Sequence, residues 1–293
     1  VLEGDIFMAL VTLRELLEDA ENGGYGIPAY STLGGHLGVL RTVLRTAEDL
    51  RSPVIIIEGY TDMTYYSDPR WYAEAATTAI KTTKIPAALH LDHAFCFEHI
   101  VLAIRYGFTS VMFDGSRLPY EENSRITKKV VELSHAVGVT VEGELGNVGG
   151  LEGDMYAQKD TTLYTDPQQA ATFVEETGID ALAPAIGTCH GLYTEEPELD
   201  FPRLKKIKDL ADIPLVLHGA TGVSLEDMRK SIALGIRKLN IATQVRIAYL
   251  KGIREHIRLH QQDMIEKVFN AGEKPLRDFM KEQFEAFGCA GRA

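Results

Sequence analysis

The hydrophobic positions of this chain fall into two alternating patterns. Short, continuous apolar runs rich in Val and Ile recur between longer stretches in which apolar residues return every three or four positions. The first pattern reads as strands buried on both faces, the second as amphipathic helices lying against them. The spacing predicts strands at 26–30, 54–58, a run ending at Asp92, 110–114, 140–145, 181–186, 214–218 and 237–241. It predicts helices at 13–20, 36–50, 71–82, 97–106, 122–137, 167–177, 201–210 and 225–234. Punctuation agrees: Asn22-Gly23-Gly24 stops the first helix, and Thr165-Asp166 before Pro167 caps another.

Eight strand signals alternating with helices, without a linker or a break in composition, predict an α/β fold: a closed (β/α)8 TIM barrel rather than an open doubly wound sheet. The length of 293 residues suits one such domain spanning 1–293. Its last part, 246–293, reads as a helical tail divided at 272–275 and expected to support subunit contacts. Residues 1–7 precede Met8 and read as an extension or a cloning remnant.

Charge narrows the partners. The formal charge of -12 gives no uniform basic groove, which argues against binding nucleic acid or docking on an anionic membrane. No apolar run approaches the roughly 20 residues of a membrane span, and the first residues lack the pattern of a secretory signal, so a cytoplasmic protein is expected. Cys96, Cys189 and Cys289 are odd in number and without CxxC spacing, and read as reduced thiols.

The chemistry begins at Ala88-Leu89-His90-Leu91-Asp92-His93, where a buried strand ends in a carboxylate and an imidazole side by side. Such a pair can bring a proton-transfer group and a metal ligand to one small volume. Placed on a barrel, His93 follows the third strand, Asp114 ends the fourth, Glu142 and Glu144 alternate on the fifth, His190 follows the sixth, His218 ends the seventh and Asn240 nearly ends the eighth. All then sit at the C-terminal rim, where barrels of this kind carry their active sites. Three converging imidazoles with an open position match a catalytic zinc site. Glu142 and Glu144, on one face of their strand, with Asp114 nearby offer either a second cation position, such as a monovalent ion, or carboxylates that orient the histidines. His90 reads as packed, and His36, His99, His135, His256 and His260 as belonging to helices.

Small residues follow the last two strands: Gly219-Ala220-Thr221-Gly222 and Asn240-Ile241-Ala242-Thr243. They let backbone N–H groups approach a phosphate, at the usual phosphate position of the fold. The loop 146–160 carries four glycines and Glu152, and reads either as a lid or as a solvated loop.

Together these residues closely resemble the class II, metal-dependent fructose- and tagatose-bisphosphate aldolases from about Leu13 onward. The matching stretches are His90-Leu91-Asp92-His93, Val111-Met112-Phe113-Asp114-Gly115-Ser116, Val141-Glu142-Gly143-Glu144-Leu145-Gly146, Ala185-Ile186-Gly187-Thr188-Cys189-His190-Gly191 and Leu217-His218-Gly219-Ala220-Thr221-Gly222. The resemblance implies that His93, His190 and His218 bind Zn2+ and that Asp92 exchanges the proton of the C4 hydroxyl. It implies that Glu152 handles the proton at the donor carbon. Gly191, Gly219, Ala220, Thr221, Asn240, Ile241, Ala242 and Thr243 match positions around dihydroxyacetone phosphate. Arg277 resembles an arginine that holds the distal phosphate, often across a subunit boundary, so a homodimer or homotetramer is expected.

Ala242 and the ending Cys289-Ala290-Gly291-Arg292-Ala293 are similar to the tagatose branch. The expected substrate is therefore a phosphorylated ketose, tagatose 1,6-bisphosphate first and fructose 1,6-bisphosphate second, with a phosphorylated keto-deoxy acid or a non-catalytic companion subunit as the other readings. Tyr30-Ser31, Glu58-Gly59-Tyr60-Thr61 and Ala94-Phe95-Cys96 depart from the family pattern and are expected to reshape the aldehyde side of the pocket. No Schiff-base lysine is needed, and Lys159 and Lys238 read as bystanders.

Overall fold

The computed structural model describes residues 9–149, 163–193 and 197–293. Eight parallel strands close into a barrel in chain order: β1 (Ile27–Ser31), β2 (Val54–Gly59), β3 (Ala87–Ala94), β4 (Ser110–Phe113), β5 (Thr140–Leu145), β6 (Ala181–Pro184), β7 (Leu215–Leu217) and β8 (Ile236–Ile241). Closure is made by β8 pairing with β1, with Asn240 beside Ala29. Every residue of β3, β5 and β8 is buried, as expected where helices cover one face and the barrel interior fills the other.

Apart from α3, the helices of the barrel fall where the periodicity puts them. They are α1 (Leu13–Gly23), α2 (Leu37–Asp49), α3 (Tyr60–Tyr66), α4 (Pro69–Lys81), α5 (Phe97–Tyr106), α6 (Tyr120–His135), α7 (Pro167–Thr177), α8 (Phe201–Ala211) and α9 (Leu225–Ala233). Caps set their starts: Thr12 and Glu15 form a reciprocal capping box on α1, and Asp68 and Asp166 each accept two backbone N–H bonds just ahead of a proline. Left-handed Gly24 ends α1, one residue after Gly23 closes the helix.

Two expectations are corrected. The pattern missed α3, a seven-residue helix with no side-chain cap and a single buried residue, Met63. The tail starts earlier and divides elsewhere, as α10 (Thr243–Leu259), α11 (Ile265–Asn270) and α12 (Glu273–Phe287), so Pro275 lies inside the first turn of α12 rather than in a break. Proline is tolerated there because first-turn N–H groups have no helical acceptor. α12 also packs against α2, α9, α10 and β1, burying Leu276, Met280, Phe284 and Phe287, so it is part of the barrel's outer layer. No described helix is long and apolar enough to cross a membrane.

Candidate active site

The rim chemistry starts with a distortion of β3. The register between β3 and β4 shifts between Leu91 and Ala94, and His93 takes a left-handed backbone with φ 41°. A non-glycine residue held there is strained, and strain of this kind persists where surrounding contacts over-determine it. Its effect is that neighbouring Asp92 and His93 both face the mouth, where an undistorted strand would send them to opposite faces. Asp92 accepts from Asn240 Nδ2 at 2.9 and 3.2 Å, one bond to each oxygen.

His93, His190 and His218 bring ring nitrogens within 4.8 Å of one another. Carboxylates set two of the rings. Asp114 Oδ2 accepts from His93 Nδ1 at 2.8 Å, and Glu142 Oε1 accepts from His218 Nε2 at 2.8 Å. An ionised carboxylate only accepts, so each outer nitrogen carries its proton and each inner nitrogen presents a lone pair. His93 Nε2 and His218 Nδ1 then face each other at 2.8 Å, a contact that needs a cation or a proton between them. The donor set fits a divalent metal ion, with His190 offering a third nitrogen.

Asp114 therefore orients His93. Its Oδ1 also accepts from the Ser116 backbone and hydroxyl at 3.0 and 2.6 Å. Burial works against its charge, yet the bonds from His93 and Ser116 hold its pKa below the usual carboxylate range. Glu144 behaves oppositely. Burial, and then the nearby Asp114, push it well above that range, and its Oε2 is buried without a hydrogen-bond partner, 3.9 Å from His93 Nδ1. Two carboxylates side by side are thus pushed in opposite directions. His90, expected simply to be packed, is buried but polar: its Nδ1 lies 2.9 Å from Ser110 Oγ, and burial followed by the neighbouring Lys238 charge holds it neutral.

The loops after β6 and β7 are locked together. The Tyr193 hydroxyl accepts from Cys189 N at 2.5 Å and lies 2.9 Å from the carbonyls of Cys189 and Gly219. Gly219 has φ 63°, and a Cβ there would meet Cys189 O at 2.4 Å, so the approach of the two loops requires glycine. Tyr193 was not picked out from the sequence; only its side-chain reach across the two loops reveals it.

A small cavity of about 30 Å³ gathers Asp92, His93, His190, Gly191, Gly219, Thr221, Asn240, Ala242 and Thr243. Ala220 and Ile241 are buried, and both line a separate cavity behind the two loops. Beyond Asp92 a larger cavity of about 680 Å³ opens, walled by Ser31, Glu58, Asp62, Tyr66, Arg246 and Tyr249 among others. Asp92, Ala242 and Thr243 border both. Of the departures from pattern, Ser31 and Glu58 line the larger cavity. Tyr60 and Phe95 do not: Tyr60 stacks on His99 with ring centroids 4.0 Å apart, and Phe95 lies 6.3 Å from the His93 ring. Arg277, half-buried on α12, lines neither cavity. Glu152 and Lys159 lie outside the described residues.

The family profile described as fructose-bisphosphate aldolase class-II matches residues 11–292. The chain belongs to that family. As a class II aldolase it is a carbon–carbon lyase that performs aldol cleavage on small phosphorylated sugars, in a family that is generally zinc-dependent. It is 34% identical to the YdjI aldolase from Escherichia coli K12, with a TM-score of 0.86 over 97% of this chain and 99% of that one. A fructose-bisphosphate aldolase from Campylobacter jejuni superposes with a TM-score of 0.84 over 98% of each chain, and at 24% identity that likeness bears on the fold alone.

Proposed function

We propose that this aldolase is zinc-dependent and reversibly cleaves tagatose 1,6-bisphosphate to dihydroxyacetone phosphate and glyceraldehyde 3-phosphate, with fructose 1,6-bisphosphate as the second substrate. The observation that carries this reading is the placement of Asp92 beside the three-histidine cup, on the border between the two cavities. His93, His190 and His218 would hold the ion, which when bound supplies Lewis-acid polarisation of the substrate's carbonyl and hydroxyl oxygens.

The chain's own groups do the rest. Asp92, held by Asn240, takes the proton of the C4 hydroxyl as the C3–C4 bond breaks and C4 becomes the aldehyde carbon. The bonding pair moves to the donor half, and Glu152 returns a proton to C3. Gly191, Gly219, Thr221, Asn240, Ala242 and Thr243 border the donor phosphate from the small cavity, while the larger cavity takes the aldehyde half. Ala220 and Ile241 contribute through backbone rather than side chain. Arg277 of a second copy completes the distal phosphate site, in a homodimer or homotetramer. Location in the cytoplasm is part of this reading, supported by an odd number of cysteines without CxxC spacing.

Ala242 supports the tagatose preference, because it borders both cavities where the C3–C4 bond must lie. The test is metal-dependent cleavage of matched tagatose and fructose 1,6-bisphosphates, read as dihydroxyacetone phosphate released. Faster turnover of tagatose bisphosphate is expected. Preference for the fructose sugar overturns the stereochemical reading, and turnover of neither overturns both substrates.

A further inference from the structure

Beneath the histidine cup lies a second cluster, which shares Asp92 with the reaction described above and includes two groups, His90 and Lys238, that the reaction leaves unused. His90 and Asp92 on β3 and Glu142 on β5 place ligand-type atoms within 4.8 Å of one another, all of them buried. Two carboxylates and an imidazole form the donor set of a cation site. A side chain already stands there. Lys238 on β8 is fully buried, with Nζ 2.7 Å from Glu142 Oε2, 3.4 Å from His90 Nε2 and 3.9 Å from Asp92 Oδ1.

A lysine placed in a barrel interior is unfavourable unless its charge is matched and its N–H groups are satisfied. Here two carboxylates match the charge. His90, turned with Nδ1 toward Ser110, offers Nε2 as an acceptor. Glu142 then spans from this ammonium to the cup: one oxygen accepts from Lys238 and the other from His218 Nε2. That second bond decides which His218 nitrogen faces inward, namely Nδ1, directed at His93 Nε2.

We infer that Lys238 is a built-in cation filling the His90–Asp92–Glu142 site, and that it acts as a positioning residue for the metal ligands by anchoring Glu142, which fixes the His218 ring. The inference rests on the reading that the histidine cup holds a divalent ion. Two consequences follow from the geometry. The triad takes no further metal ion, since its centre is occupied. Removing the ammonium frees Glu142 to rotate, so metal binding weakens although no ligand has been changed.

The test uses the full chain stripped of metal and titrated with Zn2+ against a chromophoric chelator and with Co2+ by visible absorption, alongside the melting temperature of each metal-free variant. Lys238→Met and Glu142→Gln are each expected to weaken Zn2+ binding about 10–100-fold, the range for partners of metal-bound histidines, and to alter the Co2+ band. The double variant is expected to be no weaker than the weaker single one, because both act through one chain of bonds. Ser110→Ala, which touches only His90, leaves Zn2+ affinity unchanged.

A folded Lys238→Met protein with unchanged Zn2+ affinity and Co2+ spectrum overturns the inference, whatever its melting temperature. If Lys238→Met does not fold, Glu142→Gln decides: weakened binding upholds the link to His218, and unchanged binding overturns it. Wild-type chain that binds no divalent ion overturns the reading of the cup and this inference with it, so the two failures are told apart.

Discussion

The mouth of this barrel has two sides built on different principles. On the side formed by β3 to β8, each functional group is held by a named partner: Asp114 on His93, Glu142 on His218, Asn240 on Asp92, Tyr193 across the loops of His190 and Gly219. On the side formed by β1, β2 and the start of α10, the larger cavity is walled by residues from several elements, including Ser31, Glu58, Asp62 and Arg246. The first side is a tight constellation and the second is a roomy wall. Tight fixation is what a bond-breaking step requires, since misplacement by about 1 Å costs roughly a hundredfold. A roomy wall constrains its contents less, and two of the departures from the family pattern, Ser31 and Glu58, lie on it.

This contrast breaks most sharply at the histidines. His93→Ala or His218→Ala, or stripping of metal by a chelator, is expected to lower cleavage by at least about 10³-fold, since Lewis-acid stabilisation is worth several kcal/mol. Cleavage rates and metal content per chain measured together check this, and substantial turnover in metal-free protein sinks the zinc mechanism. Asp92→Asn should lower kcat about 10²–10⁴-fold while metal content stays at the wild-type level. Loss of metal from that variant would show that Asp92 acts through the cup and not on the substrate.

The wall responds to different handles. Burial raises Glu58 to about 7, although Thr32 and Gly35 donate to its carboxylate. Its folded pKa exceeds the value of the unfolded chain, so the native state binds the extra proton between them. The stabilisation is complete below about pH 4.5 and is lost as pH rises through about 7, a decline of roughly 3–4 kcal/mol. Denaturant unfolding across that range checks it, and Glu58→Gln should flatten the slope. Arg246→Ala is expected to have the smallest effect, raising KM for a ketose bisphosphate about tenfold through loss of a charge-assisted contact, with kcat and metal content unchanged. A fall in kcat instead would place Arg246 with the tight side.

Much of this was legible because barrel strands are buried on both faces. Continuous Val and Ile runs such as 54–57 stand out from the amphipathic helices around them, and a histidine or carboxylate ending such a run is conspicuous. His93, Asp114 and His218 stand out that way, while Glu142, His190 and Asn240 come from their places on or just after the neighbouring strands. The α3 helix does not stand out, since it is short, uncapped and buries only Met63. Arg246 and Asp62 were missed because nothing local distinguishes a charged residue on a cavity wall from one in solvent.

The order of strands and the convergence of three histidines at one rim thus follow from the sequence, because side-chain alternation and strand polarity are local properties of the chain. What only the tertiary structure decided is which groups act on one another. β5 and β8 are not neighbours in the sheet, yet closure brings Glu142 to Lys238 across the interior and turns an apparently idle lysine into the partner of a buried carboxylate. The shift in β3 likewise turns Asp92 and His93 to one mouth, against the alternation their positions imply. Both depend on three-dimensional closure, which pairs residues far apart in the chain and has no period to read.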